Sequence, residues 1–120
     1  MAEPQTDPEA IWRRLDALGR SVRESALAEL ARYLQCDDEE VRREAAYLLG
    51  ELRSDRAVPL LDALTNDPSA AVRKQAVKSL DRLDVQEAMA VLERYQRDPD
   101  AAISALAGAV IMRLRVGGFR

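Results

Sequence analysis

The feature that most constrains the fold is an internal repeat with a period of 31 residues. Three copies follow one another without a gap, at residues 24–54, 55–85 and 86–116. Eight positions of the unit are apolar in all three copies, one of them occupied by Leu30, Leu61 and Leu92. One such unit cannot bury its apolar side chains alone, so neighbouring units must stack and share a core.

Each copy contains two apolar patterns with helical spacing. In the middle copy the first runs through Leu61 and Leu64, and the second through Val72, Ala76 and Leu80. Steps of three and four residues place these side chains on one face of an α-helix. Each repeat is therefore predicted to be a pair of helices, and the small alanines at 45, 76 and 107 let the paired helices approach closely.

A short polar segment of similar sequence separates the two helices of each pair. Asp38, Ser69 and Asp100 stand just before the second helix, where a side-chain oxygen can cap the free amides of the first turn. Three prolines support the same boundaries, since Pro68 and Pro99 end the preceding helix and Pro59 is tolerated in a first turn.

A further amphipathic helix is predicted upstream, over residues 8–18, with Gly19 ending it and Ser21 capping the next helix. Trp12 is expected to cover the N-terminal end of the core. The predicted helices are 8–18, 21–35, 38–53, 55–65, 69–83, 85–97 and 100–115. Tyr33 and Tyr95 share one repeat position and are expected to keep their hydroxyl groups near solvent.

The loop and second helix of the first copy, residues 38–50, and the segment 55–61 resemble the HEAT-repeat pattern, which residues 67–73 repeat. The resemblance is closest to the short HEAT-like repeats of phycobilisome lyases. It implies an all-α, right-handed α-α solenoid of about three helix pairs with an N-terminal capping helix. The expected domain is 8–116, preceded by a disordered lead-in (1–7) and followed by a tail (117–120).

The resemblance also implies a role for one arginine of each repeat. In HEAT-like repeats a loop aspartate and an arginine resemble a ladder of contacts between adjacent units. Arg42 and Arg73 occupy the arginine position, and Ser104 replaces it in the third copy. The ladder is therefore expected to stop at the third unit, and Arg42 and Arg73 are expected to pair between repeats rather than to contact a ligand.

Composition argues against a reactive centre. Aromatic residues make up 4% of the chain, and histidine is absent, which excludes Ser-His-Asp and Cys-His arrangements and imidazole metal sites. The absence of histidine also separates the chain from HEAT-like metal hydroxylases, which resemble it in fold and depend on His-Glu pairs. Cys36, the one cysteine, is interpreted as an inert loop thiol, and the acidic run at 37–40 as the start of a helix. No catalytic, cofactor-binding or metal-binding residue is predicted.

The same composition bears on location. A single cysteine favours a reducing compartment, no run approaches eighteen apolar residues, and the polar N-terminus does not resemble a signal peptide. The expected location is cytoplasmic.

The polar positions of the second helices are the predicted partner-binding residues. These positions lie beside the apolar stripe, on the expected concave face of the array: Arg43, Tyr47, Glu51, Lys74, Lys78, Arg82 and Arg113. The first repeat is acidic and mixed there and the second is basic, a gradient that can orient an oppositely charged protein partner. A solvated surface without a partner remains an equal alternative.

Two other functions stay open at this point. The resemblance to phycobilisome lyases implies an accessory bilin-lyase-like or pigment-handling protein. Binding of nucleic acid would use a basic groove formed by Arg43, Arg73, Lys74, Lys78, Arg82, Arg113 and Arg115. The net charge of −3 and the interruption of this track by acidic residues argue against nucleic acid.

The last predicted helix is more apolar than one buried stripe requires. Leu106, Val110 and Met112 are expected to form an exposed patch, and such a patch on a protein surface usually marks an interface. Either the tail folds back so that Phe119 covers the patch, or a second copy covers it in a two-fold homodimer. The homodimer is the preferred alternative, since a tail of four residues covers little area.

Overall fold

Within the residues that the structure describes, seven α-helices are arranged in two layers. The computed structural model describes residues 7–20 and 24–117. The helices are α1 (Pro8–Arg20), α2 (Leu27–Tyr33), α3 (Glu39–Glu51), α4 (Val58–Asp62), α5 (Ala70–Leu83), α6 (Ala88–Tyr95) and α7 (Ala101–Gly117). Short 3₁₀ segments at Glu24–Ala26, Asp55–Ala57 and Ala63–Asn66 flank α2 and α4, so the first helices of the pairs are shorter than predicted.

The contacts between helices follow the repeat. Helix α2 packs on α3, α4 on α5 and α6 on α7, while α1, α3, α5 and α7 contact one another in sequence as one layer. The molecule measures 43 × 30 × 19 Å along its principal axes, as expected when helix pairs stack along a line. The chain is an α-α solenoid.

The predicted N-caps of the second helices are confirmed. An Asp38 carboxylate oxygen accepts from the Glu40 amide at 2.9 Å, and an Asp100 oxygen accepts from the Ala102 amide at the same distance. Ser69 Oγ accepts from the amide of Val72 at 3.3 Å. Pro59 lies in the first turn of α4, as predicted.

Helices α3 and α5 are followed by a residue in the left-handed region at equivalent repeat positions. These residues are Arg53 (φ 57°) and Asp84 (φ 55°). The left-handed conformation reverses the chain toward the next helix, and a side chain there carries a steric cost that glycine would not. Helix α7 runs on through the corresponding position to Gly117 and does not turn back.

The core is one continuous cluster along the array. All three alanines of the small column, Ala45, Ala76 and Ala107, are fully buried, which agrees with their predicted role in close helix packing. The N-terminal helix adds Ile11, Leu15 and Leu18 to the core.

Three expectations about the core are wrong. Helix α1 continues through Gly19 to Arg20, because a glycine inside a helix lowers its stability without necessarily ending it. Trp12 does not close the end of the core, since it lies beside the stripe formed by Ile11 and Leu15 and is 37% exposed. The predicted Ser21 cap, residues 1–6 of the lead-in and Phe119 lie outside the described residues.

The third error concerns Tyr95. Tyr95 is buried, and its hydroxyl donates a 2.6 Å hydrogen bond to the carbonyl oxygen of Leu61 in α4. Tyr33 is buried as well. A phenol can enter a helical core when a backbone carbonyl accepts a hydrogen bond from its hydroxyl, and Leu61 supplies that carbonyl.

Candidate partner-binding face

The close contact between α3 and α5 sets the geometry of the candidate face. A Cβ atom added to Gly50 would lie 2.9 Å from Ser79 Cβ and 3.0 Å from Ser79 Cα, so only glycine fits at this point. The buried Ser79 hydroxyl donates a 2.6 Å hydrogen bond to the Ala46 carbonyl oxygen across the same contact. The two helices are thereby fixed against each other, and so are the backbone positions that carry their exposed side chains.

An arginine–aspartate ladder fixes the register of the repeats on the loop side. Arg42 donates to both carboxylate oxygens of Asp67, at 2.8 and 3.1 Å, and also to the carbonyl oxygen of Cys36 at 2.8 Å. Arg73 repeats the arrangement one unit later, with Asp98 at 2.8 and 3.3 Å. These hydrogen bonds raise the pKa of both guanidinium groups.

Ser104 stands where a third arginine would be. Its hydroxyl donates to the Gln96 carbonyl oxygen at 2.6 Å, within its own helix pair, so the ladder ends here as expected. The aspartates of the ladder also accept hydrogen bonds from the backbone. Asp67 accepts from the Ser69 amide and Asp98 from the Asp100 amide, both at 2.9 Å. The ladder residues therefore serve the stacking of repeats.

Three of the seven predicted partner-binding residues are engaged within the molecule. Arg82 Nε lies 3.1 Å from Glu51 Oε2, an ion pair between α5 and α3. Arg113 pairs with Asp81 and lies 3.3 Å from a carboxylate oxygen of Asp84. The predicted charge gradient, from an acidic first repeat to a basic second one, is thus partly cancelled, because charges of opposite sign pair between neighbouring helices.

The other four side chains remain available to a partner. Arg43 and Tyr47 are exposed on α3, one turn apart, and Lys74 and Lys78 are exposed at the equivalent positions of α5. Within residues 7–20 and 24–117, none of the three cations has an ion pair. We call Arg43, Tyr47, Lys74 and Lys78 the α3–α5 face.

Helix α7 bounds this face on one side. The residues equivalent to Lys74 and Lys78 are Ala105 and Ala109, both exposed. The remaining cation of α7, Arg115, lies 3.6 Å from Glu93 of α6. Among the described residues of α3, α5 and α7, cations without an ion pair therefore lie only on α3 and α5.

The apolar patch predicted on α7 is smaller than expected. Val110 is only 4% exposed, because spacings of three and four residues place it in the buried stripe with Ala107 and Leu114. Leu106 packs partly against the core. Met112 is 62% exposed and Val116 is 83% exposed, so these two residues form the apolar surface of α7.

Apart from the ladder, the ion pairs between repeats were not predicted, although the sequence holds a signal for one of them. Glu51 and Arg82 occupy the same repeat position with opposite charges, and equivalent positions of adjacent units lie side by side in a stack. Arg94 of α6 pairs in a similar way with Asp62 of α4 at 2.8 Å, one position out of register.

Two other features are absent from the described part of the chain. None of its helices is long and apolar enough to cross a membrane. Nor do residues 7–20 and 24–117 contain a group of three or more acidic or cysteine side chains placed to hold a metal ion.

Comparisons with known proteins agree with the fold. A solved structure of human deoxyhypusine hydroxylase in complex with glycerol superposes with a TM-score of 0.83 at 24% sequence identity. The match covers 98% of this chain and 43% of the hydroxylase chain, so this chain spans less than half the length of that enzyme. No curated protein matches, and a closer relation to phycobilisome lyases is not shown.

The family is established by a sequence match. A family model described as HEAT repeats matches residues 2–70, from the N-terminus through α4 to the first residue of α5. This match covers more than half of the chain, and the helices stack as an α-α solenoid. The chain therefore belongs to the HEAT-repeat family.

Proposed function

We propose that this chain is a non-catalytic interaction scaffold that binds a protein partner on the layer formed by α3, α5 and α7. The observation that carries the proposal is the α3–α5 face: four exposed side chains on two rigidly packed helices, three of them cations with no ion pair in the described residues. An array of this kind offers an extended surface that needs no rearrangement to bind.

The pairing of the other polar residues supports a non-catalytic role. Asp62, Asp67 and Asp98 are each paired with an arginine of a neighbouring repeat. Their contacts hold repeats together, and that is a structural task. The enzyme that shares the fold does not alter this proposal, because 24% identity relates the two chains by fold alone.

Comparative capture of partners tests the proposal. The immobilised protein is incubated with lysate of its source, and the proteins retained by the wild type and by the double variant Lys74→Glu/Lys78→Glu are compared quantitatively. Arg82 is left unchanged, because its reversal would place two carboxylates together at Glu51 and disturb the fold.

The control is Arg32→Glu/Arg97→Glu, which makes the same change in net charge away from the α3–α5 face. Both residues are exposed, Arg32 in α2 and Arg97 just after α6. Both variants must melt at the wild-type temperature. We expect the face variant to lose specific proteins that the control retains. If the two variants retain the same proteins, the assignment of the binding face is wrong.

A further inference from the structure

We infer that the α3–α5 face recognises a short acidic segment of a protein partner. This inference rests on the proposed function and adds the chemistry of the bound segment. Its basis is the charge left over after pairing: Glu51 is neutralised by Arg82, whereas Arg43, Lys74 and Lys78 have no carboxylate partner in the described residues. A cluster of three free cations attracts carboxylates and repels basic partners.

The spacing of the cations determines which spacing of carboxylates in the segment can pair with them. Lys74 and Lys78 are four residues apart on α5, so their Cβ atoms lie about 6 Å from each other. Alternate side chains of an extended peptide lie about 6.6 Å apart, and residues four apart in a helix lie about 6 Å apart. Two carboxylates at either spacing fit the two lysines, and Arg43 on the adjacent helix can meet a third.

The attraction is local. The whole chain carries a net charge of −3, so its long-range field does not draw in polyanions. Lys74 and Lys78 attract an acidic segment only at close range, within a Debye length of about 8 Å at physiological ionic strength. Binding therefore requires that the carboxylates reach this face.

A protein segment fits the face better than nucleic acid does. Arg82, Arg113 and Arg115 would have to extend a basic track toward α7, but all three lie in ion pairs. A duplex gains affinity from many phosphate contacts along such a track, and three cations on two helices provide few. Tyr47, 41% exposed beside the lysines, also offers a planar apolar surface to a side chain of the segment.

The test is an NMR titration of the full, ¹⁵N-labelled chain at low salt. Three probes are added in parallel: an octaglutamate peptide, an octalysine peptide and a short DNA duplex. We expect octaglutamate to shift the amides of α3 and α5 around Arg43, Tyr47, Lys74 and Lys78, and we expect octalysine to leave them unchanged. Raising the salt concentration should weaken the binding.

Variants then locate the contact. Lys74→Glu/Lys78→Glu should weaken octaglutamate binding about tenfold or more, whereas Arg32→Glu/Arg97→Glu should weaken it about twofold or less. Absence of binding, equal losses in the two variants, or tighter binding of the duplex through the same residues would each overturn the inference. The last result would assign the face to nucleic acid.

The two proposals can fail separately. If capture depends on the face while octaglutamate does not bind, the interaction scaffold stands and the acidic segment is wrong. If octaglutamate binds at the face but captured proteins do not depend on it, the chemistry of the surface is right and the proposed function is wrong.

Discussion

Gly50 and Ser79 show how much of the packing depends on single side chains. An alanine normally stabilises a helix interior relative to glycine by about 1 kcal/mol. At Gly50 the added methyl would meet the backbone and Cβ of Ser79 at 2.9 to 3.0 Å, and neither can rotate away. Close approach between α3 and α5 therefore outweighs helix propensity at this position.

We expect Gly50→Ala to lower the free energy of unfolding by about 1 to 2 kcal/mol, because overpacking pushes α3 and α5 apart. Gly108→Ala is the matched control on α7. Its new methyl would lie 3.1 Å from the side-chain nitrogen of exposed Gln96, which can move, so stability should be unchanged or rise by up to about 1 kcal/mol. Urea denaturation measures both, and a Gly50→Ala protein as stable as wild type would contradict the packing argument.

Tyr95→Phe removes the hydroxyl that donates to Leu61 and leaves a buried carbonyl without this donor. We expect a loss of about 1 to 2 kcal/mol at neutral pH. Tyr47→Phe, at an exposed position, should leave the stability at neutral pH unchanged.

Tyr95→Phe also changes how the stability depends on pH above pH 8. Burial raises the pKa of Tyr95 above its ordinary value of 10.0. Above about pH 10 the Tyr95 hydroxyl loses its proton in the unfolded chain but keeps it in the native protein. The free energy of unfolding therefore falls as the pH rises. Thermal melting between pH 8 and 11 should show a shallower decline for Tyr95→Phe than for wild type. Some decline remains, since burial also raises the pKa of Tyr33.

The ion pairs on the loop side of the repeats differ in burial and geometry from those on the exposed surface. The ladder pairs are largely buried and bidentate, whereas pairs such as Glu9–Arg13 on α1 lie in solvent at 3.8 Å. Burial and geometry, rather than the number of ion pairs, decide which of them hold neighbouring units in register.

A double-mutant cycle on Arg73→Met and Asp98→Asn measures the ladder. Asparagine at 98 keeps an oxygen that can accept the Asp100 amide, so the cycle isolates the contact with Arg73. We expect an interaction free energy of about 1 to 2 kcal/mol, against less than about 0.5 kcal/mol for the corresponding cycle on Glu9 and Arg13. Equal values in the two cycles would show that the ladder does not stabilise the stack.

Among the residues that the structure describes, α7 is the last helix, and part of its apolar surface is exposed. The burial of Val110 reduces the predicted patch, and Met112 and Val116 now define it. A two-fold dimer through α7 stays a prediction, since a symmetric contact would bury the same two side chains twice.

We expect light scattering at micromolar concentration to show a dimer that Met112→Glu converts to a monomer. Met112 is a better site than Leu106, because Leu106 packs partly against the core and its replacement would also destabilise the fold. Ala63→Glu, at an exposed position of the first-helix layer, is the control and should remain dimeric. A monomeric wild type would rule out this interface.

The sequence by itself determined the elements and their order. Helical spacing, capping residues and the recurrence of apolar positions are properties of neighbouring residues, and they predicted seven helices, the N-caps and the buried alanine column. The end of the ladder at Ser104 was predicted from the resemblance to HEAT repeats together with the loss of the arginine at this position. Helix ends were less accurate at α1 and α2, because propensity does not say where a helix stops when tertiary contacts continue or shorten it.

Only the tertiary structure decided which side chains are left for a partner. Arg82 and Lys78 are both cations of α5, but the packing of α3 against α5 brings the Glu51 carboxylate to Arg82. Within the described residues, no carboxylate pairs with Lys78. The same holds for the Tyr95 hydroxyl, which donates to the carbonyl oxygen of Leu61 in the preceding repeat. Pairing and burial depend on distances of a few ångströms between helices, and these distances are set by the packing of the whole array.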